Sequence, residues 1–409
     1  MSQNHIVGLD IGTSSLKAVI AEIKKDGQLS LVKVLQFPSA GMKKGNADDL
    51  PDLVRSLNQI LPEIKNVSKK SLKNIFLNVC NSDARIQSSR GIVAVSRADF
   101  EIHKDDIDRV VQASQAINLP PNRMVLHSIT KEFTVDDVEG IRDPLGMVGN
   151  RLEVDSSVID VFAPKVKDLT KSVEMAGAGI GGLIFSPLAD ARSVLSRNQK
   201  DLGVVLIDIG FGTTTMCVYE ENRLIHIAVL PIGAGNITND LAIGLRTEVG
   251  TAEMIKLSFG SAISKGISAR DTVDVRKIDP NSAVSTSRKF IAEIIEERLA
   301  EIFEFVNNEL KSIDKNSKLP AGAVLVGGGA KIPGITELAR QELHLSTKLG
   351  IPDTSQIEVT SGELNVQVEN PEFACALGLV LWAYDRMAED STGVDIKSFW
   401  GKIKSSLLP

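Results

Sequence analysis

Ile6-Val7-Gly8-Leu9-Asp10-Ile11-Gly12-Thr13-Ser14-Ser15 and Val204-Val205-Leu206-Ile207-Asp208-Ile209-Gly210-Phe211-Gly212-Thr213 are one segment written twice. The register of the match holds as far as Glu22 and Glu220. Each copy is an apolar run ending in Asp, a Gly/Ser/Thr turn, and a second apolar run (16–20; 216–219). That pattern predicts a strand, a tight turn and a returning strand. A further hairpin follows each copy, with Lys25-Asp26-Gly27 leading into 29–35 and Glu221-Asn222-Arg223 leading into 224–230. A single Asp-x-Gly after a strand is an ordinary β-turn. Two copies in register within equivalent hairpins predict two related lobes, each presenting a phosphate-sized loop, with a nucleotide gripped between them.

The residue types fit that chemistry. Gly12 and Gly210 permit positive φ and close backbone approach, so consecutive N–H groups converge on phosphate oxygens. Thr13, Ser14, Ser15, Thr213 and Thr214 add hydroxyl donors, and Lys17 reaches a phosphate as a point charge. Asp10 and Asp208 sit at strand ends and suit hydrated Mg²⁺, which keeps several of its waters. A third glycine cluster follows the apolar run 323–326, as Gly327-Gly328-Gly329-Ala330-Lys331-Ile332-Pro333-Gly334, before a helix over 335–343. A strand, a Gly-rich turn and a helix start let the backbone pass close to a flat ligand such as adenine.

With 409 residues the chain can hold two to four domains. A net charge of −6 and the lack of a basic stripe interleaved with aromatics exclude a general nucleic-acid surface. Cys80, Cys217 and Cys375 are scattered in apolar contexts without metal or disulfide spacing, so a reducing cytoplasm is expected. The N-terminus leads straight into a strand with no signal peptide. The apolar stretches 176–189 and 373–384 are too short to span a bilayer and read as core.

Leu50, Leu53, Val54, Leu57, Ile60 and Leu61 recur at helical spacing behind Pro51. Residues 84–159 interrupt the first lobe with strand-like runs (86–95, 129–135, 152–162) and one amphipathic helix through Ile107, Val110, Val111, Ser114 and Ile117. They are enough for a small α+β domain. Residues 181–195 read as a crossing helix. The segment 233–240 opens a helix with Asn236 or Thr238 as N-cap. Glu253 and Lys256 share one face of the next helix. A long helix is expected over 286–313 and a last core helix over 373–387. An acidic linker, 388–395, then leads to Ile396, Phe399, Trp400, Ile403 and Leu407, which fall on one side of a helical wheel flanked by Lys397, Lys402 and Lys404. Snorkelling lysines beside buried aromatics favour an anionic membrane surface, with a helix docked on the protein's own body as the competing reading. Such a tail, about three turns long, is mostly unfolded alone in water.

The three glycine motifs, in this order, resemble the actin-type ATPase superfamily. Leu126-His127, Glu132-Phe133-Thr134-Val135-Asp136-Asp137, Gly140-Ile141-Arg142-Asp143-Pro144-Leu145-Gly146-Met147, Leu183-Ile184-Phe185-Ser186-Pro187-Leu188-Ala189 and Ala252-Glu253-Met254-Ile255-Lys256 narrow this to a resemblance with the bacterial cell-division FtsA family. It covers the whole chain. The resemblance implies an α/β, actin-like, two-lobed fold of duplicated ribonuclease-H-like domains, with an inserted α+β subdomain 1C in place of actin 1B. The boundaries are 1–83, 160–198 and 371–388 for subdomain 1A, 84–159 for 1C, 199–243 and 319–370 for 2A, and 244–318 for 2B. A linker at 389–395 and a membrane-targeting helix at 396–409 complete the division.

The resemblance further implies ATP and Mg²⁺ in the cleft. Candidate nucleotide contacts are Gly12, Thr13, Ser14, Ser15, Lys17, Gly210, Phe211, Gly212, Thr213, Thr214, Gly235, Asn236, Glu253, Lys256, Gly328, Gly329, Ala330 and Ile332, with Asp10 and Asp208 holding the metal through water. It implies filaments formed through 1C and the lobes, and peripheral attachment to the cytoplasmic face of the membrane at the division site. The implied partners are the FtsZ C-terminal peptide, met by Arg288 and Arg298, and other divisome proteins. Two departures matter. Phe211 stands where the family usually has Gly and narrows the approach to the γ-phosphate, and Thr215 replaces a usual Asp. ATP binding is therefore expected, at most a slow ATPase follows, and no catalytic base is assigned. Two alternatives stay open, a PilM-type pilus-assembly platform protein and a small-molecule kinase of the same superfamily. The kinase needs a general-base carboxylate aimed at a substrate hydroxyl.

Overall fold

A computed structural model describes residues 4–277 and 285–391. The expected membrane helix through Ile396, Phe399, Trp400, Ile403 and Leu407 lies outside the described residues. The duplicated sequence becomes a duplicated topology. In the first sheet the strands lie in the order Ile180–Phe185, Ile75–Val79, Asn4–Ile11, Ser15–Ile23, Leu29–Pro38, Ile357–Val359. In the second the order is Arg223–Leu230, Thr214–Glu220, Val204–Ile209, Ala323–Val326, Thr347–Leu349. Each has an antiparallel three-strand meander, and a later strand then adds in parallel to the first one, Ile75–Val79 in one sheet and Ala323–Val326 in the other. The register repeats too, with Asp10 opposite Lys17 and Asp208 opposite Thr215.

Helices cover these sheets because their apolar stripes leave no alternative. Helix Leu50–Val67 is capped by Asp49, whose carboxylate accepts from the Asp52 N–H at 2.9 Å, and buries Leu53, Leu57, Ile60 and Ile64. Helix Ala374–Ser391 packs on the strand Asn4–Ile11 at Gly8, where a Cβ would fall 2.4 Å from the Ala376 carbonyl oxygen. In the second lobe helix Arg288–Ser312, capped by Ser287, buries Ile291, Ile295, Leu299, Ile302, Phe303, Val306 and Leu310. Burial of each such side chain contributes about 1.5–3 kcal/mol.

Four expectations are corrected. Residues 181–195 are not one helix. Strand Ile180–Phe185 runs parallel to Ile75–Val79, and helix Ser186–Val194 begins only afterwards, because Pro187 belongs in a first helical turn and cannot sit inside a strand. Strand Ile357–Val359 pairs with Leu29–Pro38, so this part of 319–370 returns to the first sheet, drawn by the apolar edge at Leu29 and Leu31. The N-cap of helix Ala234–Leu245 is Gly233, and Asn236 reaches back to it, accepting from the Gly233 N–H at 3.1 Å. The last helix runs on to Ser391, into the stretch expected as linker.

The chain clusters into two compact units, one built from the chain up to Ser82 and from Lys167 onward, the other Asp83–Val166. The second unit is a four-stranded antiparallel sheet, Arg85–Ala94, Arg151–Phe162, Arg123–Val135, Val138–Ile141, covered by helix Lys104–Ser114. Gly91 lets that helix approach the sheet, since a Cβ there would meet the Val110 carbonyl oxygen at 2.2 Å. Its core is Val95, Ile102, Val110, Phe133, Val135, Leu152 and Val154. The strand Val138–Ile141 adds to the expected runs, through a turn in which Asp136 takes a φ of 52°.

Candidate nucleotide-binding cleft

The two repeated hairpins meet. The Gly12 N–H donates to the Ser15 carbonyl at 3.1 Å, and the Gly210 N–H donates to the Thr213 carbonyl at 2.9 Å, the same turn in each lobe. Neither glycine takes the expected positive φ. They are needed instead for close packing, since a Cβ would fall 2.8 Å from the Ser15 carbonyl oxygen or 3.0 Å from that of Thr213. A Cβ on Gly212 would fall 2.6 Å from Thr13 Oγ1, so the loops touch tip to tip. Below them Cys80 Sγ lies 3.5 Å from Thr213 Oγ1.

Between the loops lies a cavity of about 600 Å³, within the range of small-ligand sites. Asp10, Gly12, Thr13, Ser14, Ser15 and Lys17 line it from the first lobe. The second lobe contributes Asp208, Gly210, Phe211, Gly212, Thr213, Glu253, Lys256, Gly328, Gly329 and Ile332. Four expected contacts do not line it. Thr214 is fully buried because side chains alternate along the strand, Gly235 lies under the Phe211 ring, Asn236 caps its own helix, and Ala330 is buried beneath the third loop.

Phe211 stands on the wall of this cavity. Its ring packs on Gly235, with the Lys256 ammonium 5.4 Å from the ring centroid. Lys256 itself uses three donors internally, to the Ala234 carbonyl at 3.1 Å, Thr238 Oγ1 at 2.9 Å and Glu253 Oε2 at 2.7 Å. Burial pulls its ammonium below the usual lysine value, and Glu253 opposes this. Lys256 therefore fixes the wall of the cleft. Lys17 is the lysine placed among the acids, its Nζ 3.6 Å from Asp10 Oδ2. Burial would lower its pKa, but Asp10, Glu372 and Asp208 outweigh this and hold it charged.

The acids show the opposite strain. Burial and the Asp10 charge push the Asp208 carboxyl up to about 7, with Lys17 opposing. Burial also raises Asp10. A third acid, Asp190, borders the same cavity at 1% exposure, and both its carboxylate oxygens lack a hydrogen-bond partner. Burial, Asp208 and Asp10 raise it well above the ordinary carboxyl value. Buried like charges with orphan oxygens are the environment that a cation, with its bound waters, neutralises and satisfies. The donor set of Asp10, Asp208 and Asp190 thus fits Mg²⁺.

Sequence analysis does not single out Asp190, which lies on helix Ser186–Val194. The signal was a charged residue inside the otherwise apolar run Leu183 to Ala191, four positions after the Ser186-Pro187 helix start. It also missed Asn78, whose Oδ1 accepts from the Ile11 N–H at 2.7 Å and whose Nδ2 faces Ser186 Oγ at 3.4 Å. This pair ties the first loop to helix Ser186–Val194. The third loop needs Gly327, which has a φ of 87° and whose Cβ would fall 2.0 Å from Asp208 Oδ1. At the mouth Lys331 pairs with Glu372 at 2.9 Å.

Away from the cleft, Arg298 is already held by Asp240 at 2.5 and 2.9 Å and by Glu301, and Arg288 lies 3.7 Å from Asp271. Arg298 sits on a shallow groove with Ile243, Gly244, Phe290 and Ile294, rimmed by Asp240, Glu293, Glu297 and Glu301. Among the described residues no helix is long and apolar enough to cross a membrane.

Comparison with known proteins agrees with this architecture. The family model "Cell division protein FtsA" matches residues 205–378, and "SHS2 domain inserted in FTSA" matches 81–160. The chain is 35% identical to the cell division protein FtsA of Pseudomonas aeruginosa over 95% of its own length and 91% of that protein. It is 34% identical to that of Bacillus subtilis (94% and 84%) and 30% identical to that of Escherichia coli K12 (92% and 89%). Among solved structures it resembles the PilM-PilN type IV pilus biogenesis complex (TM-score 0.65, 18% identity, 93% and 98% covered). It also resembles MreB5 of Spiroplasma citri bound to ADP (TM-score 0.55, 12% identity, 95% and 99% covered). At those identities the structures establish a shared actin-like fold, and the sequence relatives establish the family: the chain belongs to the cell division protein FtsA family.

Proposed function

We propose that this protein is an ATP-binding, actin-like scaffold of bacterial cell division that assembles at the membrane, tethers FtsZ there and helps recruit other division proteins. The observation that carries the nucleotide reading is the meeting of two equivalent Gly turns over a cavity in which Lys17 stands among Asp10, Asp208 and Asp190. Backbone N–H groups and hydroxyls of both loops bind phosphates, Lys17 supplies the point charge, and the acids hold hydrated Mg²⁺, which shields phosphate charge when bound. Solved relatives in fold, MreB5 with ADP and with AMPPNP, bind such ligands and support this reading. Self-association is supported by the inserted unit, which exposes Ile92, Val138, Leu145 and Val148. Membrane attachment rests on the amphipathic pattern of 396–409.

For the FtsZ tail we infer docking in the groove of Ile243, Phe290 and Ile294, with Ile243 76% exposed. Arg298 reaches an acidic tail only by competing with Asp240 and Glu301. Arg298→Glu would crowd three carboxylates together, so Asp240→Asn is the cleaner variant. Titration of an FtsZ C-terminal peptide should show micromolar binding that Asp240→Asn strengthens by up to about fivefold, as expected for releasing one partly exposed ion pair. Unchanged affinity in Asp240→Asn removes Arg298 from the docking face. A wild-type protein that ignores the peptide removes the FtsZ tether.

A further inference from the structure

Asp190 is a buried acid for which its own surroundings provide no partner. It lies on helix Ser186–Val194, is 1% exposed, borders the cleft, and has no hydrogen bond to either carboxylate oxygen. The helix cannot easily turn it away. Ser186 Oγ donates to the Val79 carbonyl at 3.2 Å, Trp382 Nε1 to the Leu188 carbonyl at 3.1 Å, and Ser193 Oγ to the Ala374 carbonyl at 2.7 Å. On its tightly packed side, a Cβ on Gly378 would fall 1.9 Å from the Ala189 carbonyl oxygen. A buried ionisable side chain is normally paired, and one held rigidly without a partner implies a partner that binds from outside.

The spacing says what kind. Among the described residues the set of three potential ligand side chains whose ligand atoms all lie within 4.8 Å of one another is Asp99, Glu101 and His103, in the inserted unit. Asp10, Asp190 and Asp208 are not so close, too far apart to share one ion's inner shell as a trio. A small divalent cation that keeps its waters spans wider gaps, because each bound water donates outward to a carboxylate.

We propose that Asp190 is a positioning residue that accepts hydrogen bonds from cation-bound water, completing with Asp10 and Asp208 a three-carboxylate cradle for the divalent cation that accompanies the nucleotide. This rests on the reading of the cleft as a nucleotide site. The cradle is asymmetric: one acid from each hairpin and a third from the helix that joins the lobes.

The test uses the full chain, Mn²⁺ as the probe, and the variants Asp190→Asn and Asp190→Ala. ATP affinity is measured in EDTA and in Mn²⁺, and the number of bound Mn²⁺ ions is followed by their paramagnetic resonance signal. The wild type should bind ATP more tightly with Mn²⁺ than without. In both variants that enhancement should fall about tenfold, the usual effect of removing an outer-shell partner, with affinity in EDTA unchanged or tighter. Metal-free melting of Asp190→Asn should occur at or above the wild-type temperature, because an unpartnered acid has been removed. An enhancement equal to wild type in the variants overturns the proposal, as does a lower metal-free melting temperature in both, which marks Asp190 as a group that holds the fold. ATP binding by the wild type without Mn²⁺ enhancement sinks the cradle and spares the nucleotide site. No ATP binding in either condition sinks both.

Discussion

The two lobes repeat one hairpin down to its register and differ in what faces the aspartate. Opposite Asp10 stands Lys17, with its ammonium in the cleft 3.6 Å away. Opposite Asp208 stands Thr215, 3% exposed, whose hydroxyl has no hydrogen-bond partner. The strands that follow diverge as well. Ile75–Val79 leads through Cys80 toward the inserted unit, whereas Ala323–Val326 leads into the glycine loop that Asp208 requires. A duplicated backbone thus carries an unequal charge distribution. The first lobe supplies the cation, and the second supplies a carboxyl with no lysine opposite it. The repeat provides the geometry, and the departures from the repeat provide the chemistry.

That inequality can be broken by substitution. Lys17→Met leaves Asp10, Asp190 and Asp208 together without the adjacent ammonium. Loss of one partner of a buried pair costs about 3–5 kcal/mol. The urea midpoint of the metal-free chain should fall accordingly, and a shift below about 1 kcal/mol, the scale of an exposed pair, would show that Lys17 is not paired in solution.

The second lobe should respond to pH. The folded Asp208 carboxyl, at about 7, holds a proton that the unfolded chain releases near 3.8. Stability from this group is therefore greatest below the unfolded value and is lost as pH rises from about 4 to about 7, by a few kcal/mol at most. Urea unfolding of the metal-free chain at pH 5 and 7.5 should show that loss, and Asp208→Asn should make it shallower. Equal slopes in the two proteins would place the proton elsewhere.

The smallest effect sharpens the comparison most. Thr215→Val removes a hydroxyl with no partner, so stability should stay within about 1 kcal/mol or rise. A larger loss would give that hydroxyl a partner and make the lobes less unequal than they look.

Much of this was legible. The repeat fixed the two sheets, their register and the touching loops, because period-two alternation and turn residues are local signals. The glycine loop at 327–329 and the helix Ile335–Leu343 were also readable from composition and spacing. Of the two properties expected of Gly12 and Gly210, positive φ is not used, while close backbone approach is, with a carbonyl oxygen where a Cβ would sit. The sequence places Phe211 in the second loop, and only the fold shows its ring packed on Gly235 beside the Lys256 ammonium.

By itself the sequence determined a duplicated α/β framework, an insertion, two phosphate-sized loops and family membership, all carried by short-range pattern. Tertiary structure decided which side chains share the cleft. Asp190 reaches it from helix Ser186–Val194, and Lys256, on the cleft wall, has its donors taken by three acceptors of its own lobe. Arg298 is claimed by Asp240, 58 positions away. Pairings at that separation depend on how helices pack, and helix packing follows from the shapes of whole buried faces, which no local stretch of sequence contains.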